Sequence, residues 1–232
     1  MTFYEFPKIE TVYKRSTEGT KELIEGNYLD KTVEMLANCK IWRATEKLDG
    51  SNHQIYWDGH KLTLGGRTPN SNIPIHVVNY FNDNFSNNET EELFEQMFKD
   101  KEFVFYFEAI GHKIQACGDF YNPYNVKFVL LDIYSVSSNS WLSFESISDI
   151  ARAIGLECKY AVIDKCTLPE AIEYVKSVPM SVFTKYQLPM EGVVCSPEIE
   201  MKNSFGNRII VKIKGRDFVP GFDKILKQYK VS

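Results

Sequence analysis

Lys47 stands in Glu46-Lys47-Leu48-Asp49-Gly50-Ser51-Asn52, after Ile41 and Trp42 and before Ile55, Tyr56 and Trp57. A lysine beside an Asp-Gly turn is ordinarily a solvated charge. It becomes a nucleophile only where neighbours depress its pKa and stabilise the group it attacks. Four other ionisable residues interrupt or end apolar runs: Glu108 follows Phe103-Val104-Phe105-Tyr106-Phe107, Glu191 opens Glu-Gly-Val-Val-Cys, and Lys212 and Lys214 alternate with Val211 and Ile213. The two-residue period of a strand puts both of these lysines on one face. Singly, each reads as a solvent-facing residue of a half-exposed strand; turned inward, each needs a partner or a ligand. Together they suit phosphate chemistry. A neutral lysine can attack a nucleotide α-phosphate, and neighbouring lysines can lower its pKa and stabilise the transferring charge. One carboxylate can bind ribose hydroxyls and another can hold Mg²⁺.

Other chemistries lack their parts. The chain has no Gly-x-x-x-x-Gly-Lys-Ser/Thr phosphate loop and no Gly-x-Gly-x-x-Gly fingerprint, and His53, His60, His76 and His112 have no zinc-protease spacing. Five scattered cysteines without a Cys-x-x-Cys pair read as reduced thiols, which points to an intracellular, cytoplasmic protein. No apolar run approaches the roughly 18–20 residues that span a membrane. A net charge of −4 over 232 residues argues against a blanket grip on nucleic acid but leaves room for a local basic groove. Residues 201–232 carry eight basic side chains against Asp217 and Asp223.

The elements that must position these residues follow from pattern. A helix is expected within 30–38. His53–Trp57 and His60–Leu64 flank Asp58-Gly59 as a hairpin with a type I′ turn, which needs positive φ at both central positions. Residues 82–92 read as a loop entering a short helix with Leu93, Phe94, Met97 and Phe98 inward. Strands are expected at 103–110, 127–134, 191–195 and 208–214. Helices are expected at 143–154, stopped by Gly155, and from the capping box Thr167-x-x-Glu170 to about Ser177, with a helical tail from about Asp223. Strands dominate the middle and end of the chain, so the fold class is α+β with largely antiparallel sheets.

Lys47-Leu48-Asp49-Gly50, Phe107-Glu108-Ala109-Ile110-Gly111, Glu191-Gly192-Val193-Val194 and Val211-Lys212-Ile213-Lys214 resemble, in order, the motifs of the covalent nucleotidyltransferases, the polynucleotide ligases and mRNA capping enzymes. Asn52, where DNA ligases and capping enzymes carry arginine, and Arg67 at the end of the following hairpin make the chain similar to the RNA ligase 2 type, found in phage and RNA-editing ligases. The resemblance covers about 41–214 and implies a nucleotidyltransferase domain whose antiparallel sheets flank a nucleotide cleft. It implies an ATP-dependent RNA ligase: ATP, with Mg²⁺ or Mn²⁺, adenylylates Lys47, AMP passes to a 5′-phosphate RNA end, and a 3′-hydroxyl displaces it. By position, Glu108 would bind ribose, Glu191 would organise the metal, and Lys212 and Lys214 would contact the α-phosphate. Asn52 and Arg67 would position the nucleotide phosphate and RNA ends, and the backbone around Glu46 and Leu48 would meet the adenine edge.

Two departures qualify the resemblance. Leu131 takes the place where the family presents an aromatic ring to the adenine, with Phe128 three residues earlier. Members of this type continue into a second domain, whereas this sequence reads as a single domain over 1–232, with the basic 215–232 tail expected to take part of the RNA contact. Such compactness suits a phage-encoded protein. The alternatives sharing the Lys47 motif are a capping-type guanylyltransferase, a DNA ligase, and a silent nucleic-acid-binding relic of the fold.

Overall fold

The computed structural model describes residues 4–229. Phe3 and Lys230, the latter in the basic tail, lie outside the described residues. The chain begins with β1 (Glu10–Thr11), β2 (Tyr13–Arg15), β3 (Leu23–Tyr28), α1 (Lys31–Leu36) and β4 (Trp42–Lys47). There follow β5 (Ser51–Trp57), β6 (Leu62–Gly66), α2 (Ile75–Asn84), α3 (Asn88–Phe98), β7 (Phe103–Gly111), α4 (Gly118–Tyr121), β8 (Val126–Ser135), β9 (Ser140–Trp141), α5 (Phe144–Ala153) and β10 (Glu157–Cys158). The chain then forms β11 (Ala161–Cys166), α6 (Leu168–Lys176), β12 (Gly192–Pro197), β13 (Val211–Lys214), α7 (Gly215–Phe218) and α8 (Phe222–Tyr229). Tertiary contacts divide these into two compact units. One comprises residues 4–7 with Asp49–Lys159, the other Lys8–Leu48 with residues 160–229.

In the unit that carries Lys47, a five-stranded sheet has the order β1-β13-β12-β4-β11. It is antiparallel except where β1 joins β13. Trp42, Ala44, Val193, Cys195, Val211 and Ile213 bury one side of it against Leu168, Ile172 and Val175 of α6. The capping box starts that helix as expected: Thr167 Oγ1 accepts the Glu170 N–H at 3.2 Å and Glu170 Oε2 accepts the Thr167 N–H at 2.8 Å. Two orphan donors of the helix end are thereby satisfied.

In the other unit the sheet runs β10-β8-β7-β5-β6, with β9 on β8. The alternation of β7 sends Phe105, Phe107 and Ala109 into a core shared with Ile55, Trp57, Phe128 and Leu130, closed by Phe81, Phe85, Phe94, Phe98 and Ile147 from the helices. The opposite side of β7 carries Tyr106 and Glu108. A bulge interrupts β8: Tyr106 pairs Asp132 and Phe107 pairs Leu130, so Leu131 is the extra residue.

Several local expectations are corrected. Most of 82–92 is helical, since α2 ends at Asn84 and α3 begins at Asn88, started by Asn87 Oδ1 accepting the Thr90 N–H at 2.9 Å. The Asp58-Gly59 connection is a four-residue loop rather than a type I′ turn. Only Gly59 has positive φ, and Asp58 Oδ1 accepts the N–H groups of His60 and Lys61. The last strand starts at Val211, with Arg208 in an isolated bridge to Lys202. Among the described residues no helix is long and apolar enough to cross a membrane.

Candidate active site

Register assembles the lysines. Lys47 lies opposite Gly192, which lies opposite Lys214; two residues along, Thr45 lies opposite Val194, which lies opposite Lys212. Directly opposed residues of paired strands share a face, so Lys47, Lys212 and Lys214 project from one side of the sheet. Gly192 keeps that row close. At its φ of +155° a Cβ would strike the Ile213 carbonyl and sit 2.8 Å from Lys214 Cα.

Glu191, immediately before β12, joins two of the lysines. Its Oε2 accepts a short hydrogen bond from Lys47 Nζ and its Oε1 accepts one from Lys214 Nζ at 2.9 Å. The Glu191 carbonyl also accepts the Gly215 N–H at 2.8 Å, fixing the start of the strand. Burial alone would raise the pKa of this carboxyl, but the Lys47 and Lys214 ammoniums outweigh it and hold the value below the ordinary range. The Lys212 pKa is lowered by burial first and then by the charges of Lys214 and Lys47. Two lysines on one carboxylate, with a third lysine on the same sheet face, make a face suited to an anion.

Glu46 lies on the reverse of the same strand, opposite Val193. Its Oε2 accepts the Val182 N–H at 2.8 Å, and its buried Oε1 has no hydrogen-bond partner. Burial raises its pKa, with the Ser181 hydroxyl and the Val182 N–H pulling the other way. The side chain therefore fastens the connection between α6 and β12. Leu48 is buried, and its carbonyl accepts from Lys47 Nζ at 3.4 Å.

Asn52, Arg67, Glu108 and Leu131 belong to the other unit. Asn52 and Glu108 are opposed across β5 and β7 and so share a face. Asn52 Nδ2 donates to the Phe107 carbonyl at 3.3 Å, while its Oδ1 is buried without a partner, an acceptor that a ligand donor would satisfy. The glycine of Lys-x-Asp-Gly is demanded by close packing: a Cβ on Gly50 would strike the Ala109 carbonyl and lie 2.7 Å from Glu108 Cγ. Two residues that sequence reasoning passed over secure this turn. The Asp49 N–H donates to the Tyr121 hydroxyl at 3.4 Å, and Gln115 Nε2 donates to the Gly50 carbonyl at 3.3 Å. Tyr121 has as its sequence signal only its place at the start of the turn-rich Tyr121-Asn122-Pro123-Tyr124-Asn125, and Gln115 has none.

Arg67 is exposed just past β6. Leu131 is half-buried at the bulge, and Phe128 is core, packed on Tyr80, Phe85 and Phe107.

No group of three or more His, Cys, Asp or Glu side chains able to hold a metal ion occurs among the described residues. Glu191 offers a single carboxylate beside the lysine row. That fits Mg²⁺ or Mn²⁺ bound largely through water and phosphate oxygens, and does not fit a cage built by the protein.

The RNA ligase family model matches residues 40–214. No curated protein matches by sequence. Solved structures of Naegleria gruberi RNA ligase are similar in fold. A variant with ATP and Mn has a TM-score of 0.61 at 17% identity, covering 99% of this chain and 65% of that one. A variant with AMP and Mn has a TM-score of 0.60 at 16% identity, with the same 99% and 65% coverage. The ligase with PPi has a TM-score of 0.58 at 17% identity, covering 98% of this chain and 65% of that one. The chain thus spans less than two thirds of the length of these ligases. The shared fold is mixed α+β with antiparallel sheets.

Proposed function

Because the chain belongs to the RNA ligase family, we propose that it acts as an ATP-dependent RNA ligase in which Lys47 carries the AMP. The observation that carries this reading is the Glu191 carboxylate clasped between Lys47 and Lys214, with Lys212 on the same sheet face. An ammonium has no lone pair, so Lys47 must shed a proton and its contact with Glu191 before Nζ can attack. Nζ then bonds to the α-phosphorus of ATP as the bond to pyrophosphate breaks. Lys212 and Lys214 stabilise the negative charge on the phosphoryl oxygens as it builds. An oxygen of an RNA 5′-phosphate next attacks the same phosphorus, breaking the N–P bond and giving back Lys47. A 3′-hydroxyl finally attacks the activated 5′-phosphate, and AMP leaves.

Glu191 is the residue that would hold Mg²⁺ or Mn²⁺. When bound, the ion would neutralise triphosphate charge and polarise the phosphoryl oxygens. Glu108 is assigned to the ribose, Asn52 and Arg67 to nucleotide phosphate and RNA ends, and the Glu46 and Leu48 backbone to the adenine edge. Leu131, at the β8 bulge, is assigned to the adenine face. Five free cysteines, two of them buried with raised pKa values, suit an intracellular setting.

Labelled ATP or GTP with Mg²⁺ or Mn²⁺, followed by a denaturing gel and intact mass, tests the reading. One AMP per chain is expected from ATP, and none with Lys47→Ala. Label from GTP but not ATP would replace the ligase by a capping-type enzyme. No adduct from either nucleotide would leave a silent fold.

A further inference from the structure

An aromatic side chain at the far end of the β12–β13 hairpin has no part in the chemistry above. Past the paired strands the two arms stay together: the Ile209 N–H donates to the Met201 carbonyl at 2.9 Å, and Lys202 bridges Arg208. Asn203 then builds a rigid tip. Its N–H donates to the Asn207 carbonyl at 2.8 Å, its carbonyl accepts the Gly206 N–H at 2.9 Å, and its Oδ1 accepts the N–H groups of Phe205 at 3.0 Å and Asn207 at 3.1 Å. Asn203 Nδ2 donates to Asp30 Oδ2 at 3.2 Å, and the other oxygen of Asp30 caps α1. So firmly held a tip would bury its phenylalanine if packing were the purpose, yet Phe205 is 83% exposed.

The charges run in line with it. Ile209, Val211 and Ile213 are buried while Arg208, Ile210, Lys212 and Lys214 are not, so one face of this arm leads from the lysine row to the tip. Lys202, opposite Arg208, is exposed on that side, and Arg208 is held by Glu200 at 2.8 and 3.0 Å. Along the chain Phe205 is flanked by Lys202, Asn203 and Ser204 on one side and by Gly206 and Asn207 on the other, with no second large apolar residue among them. Protein-binding sites present contiguous apolar patches. An exposed ring with an exposed lysine three residues away in the chain fits the pattern of single-strand binders, where every base offers a face to stack on.

We propose that Phe205 is a stacking platform for an unpaired RNA base, with Lys202 on the adjoining phosphate. The proposal rests on the ligase reading, which places the reacting end at Lys47. From Lys214 to Gly206 the arm spans roughly 26 Å at about 3.3 Å per residue. The base would then lie on the order of eight stacked nucleotides from the reacting end, at about 3.4 Å each.

The test is equilibrium binding, without ATP, of the full chain to a 5′-phosphorylated single-stranded RNA of about twelve nucleotides, with 2-aminopurine placed at successive positions. Phe205→Ala should weaken binding about tenfold and abolish fluorescence quenching near the eighth nucleotide. Phe205→Trp should retain both. Lys202→Ala should reduce the slope of log K against log salt by about 0.7. AMP transfer to Lys47 should be unchanged in all three variants. Wild-type RNA affinity in Phe205→Ala would overturn the proposal, as would an equal loss on a blunt duplex, which offers no unpaired base. Loss of self-association with RNA binding intact would make the tip a protein contact instead. Because ATP is absent from the binding assay, failure of wild type to form lysyl-AMP would sink the ligase reading separately.

Discussion

Replacing Glu191 by glutamine keeps the shape of the clasp and removes its charge. Deleting one partner of a fully buried ion pair costs about 3–5 kcal/mol. The Glu191 side chain is only 9% exposed, but those of Lys47 and Lys214 are 23% and 22% exposed, so water takes up part of the orphaned charge. A loss of about 2 kcal/mol is expected after that discount. At about 2–4 °C per kcal/mol for a chain of this size, the Tm should fall by about 4–8 °C at neutral pH. The pH dependence carries the sharper test. The folded pKa of Glu191 is depressed below 4.5 because the two lysines outweigh its burial. Its stabilisation is therefore complete above the unfolded value and is lost as pH falls through the lower folded value. The gap between wild type and Glu191→Gln should be constant from about pH 6 to 8, begin to narrow below the unfolded value, and close only as pH falls through the lower folded one. Thermal and urea unfolding across that range measure the gap, and hydrogen exchange of the β12 amides assigns it to this unit. A gap as wide at about pH 3.5 as at pH 7, or none at pH 7, would refute an electrostatic clasp.

Gly192→Ala should cost about 1–3 kcal/mol and slow lysyl-AMP formation, because the new methyl strikes the Ile213 carbonyl and separates Lys47 from Lys214. Denaturation and single-turnover adduct formation check it, and an alanine variant normal in both would remove Gly192 from the explanation. Glu46→Gln should behave oppositely to Glu191→Gln. Burial raises the folded pKa of Glu46 despite Ser181 and Val182, so its contribution is complete below the unfolded value and is lost as pH rises through the folded one. Wild type and Glu46→Gln should be alike in acid, with the variant gaining relative stability toward neutral pH. A difference that does not change with pH would show that packing, not ionisation, governs the site.

Strands whose residues had nowhere else to go were legible. Phe103–Ile110 and Val126–Ser135 are dense in aromatic and β-branched residues, and Lys212 and Lys214 share a face because Val211 and Ile213 must be buried. The Thr167–Glu170 capping box was legible because it is local. Of the first forty residues only the helix expected within 30–38 was legible, as α1. β1 is two residues long and becomes a strand only by parallel pairing with β13, about two hundred positions away. α2 escaped because its Asn-rich sequence hides Val77 and Phe81, whose burial depends on the sheet beneath them. The division into two units was equally hidden, since the chain leaves one at Leu48 and returns at Tyr160 without any change of composition.

The candidate site divides along the same line between local pattern and long-range register. Residue types and spacing named Lys47, Glu191, Lys212 and Lys214, but not that Gly192 stands between two of the lysines or that the carboxylate beside it touches both. That contact alters what the carboxylate can do. By resemblance Glu191 organises a divalent ion, yet both its oxygens are engaged by ammonium groups. A carboxylate so placed can serve a cation only by releasing a lysine, and a lysine so placed can attack only once released. Arrival of a triphosphate supplies other anionic oxygens for both ammoniums, so it would loosen the two contacts together. In the proposed ligase Glu191 would serve first as the anion that holds Lys47 and Lys214 side by side and only afterwards as a ligand, and the sequence of Glu191 and its neighbours contains no sign of that order.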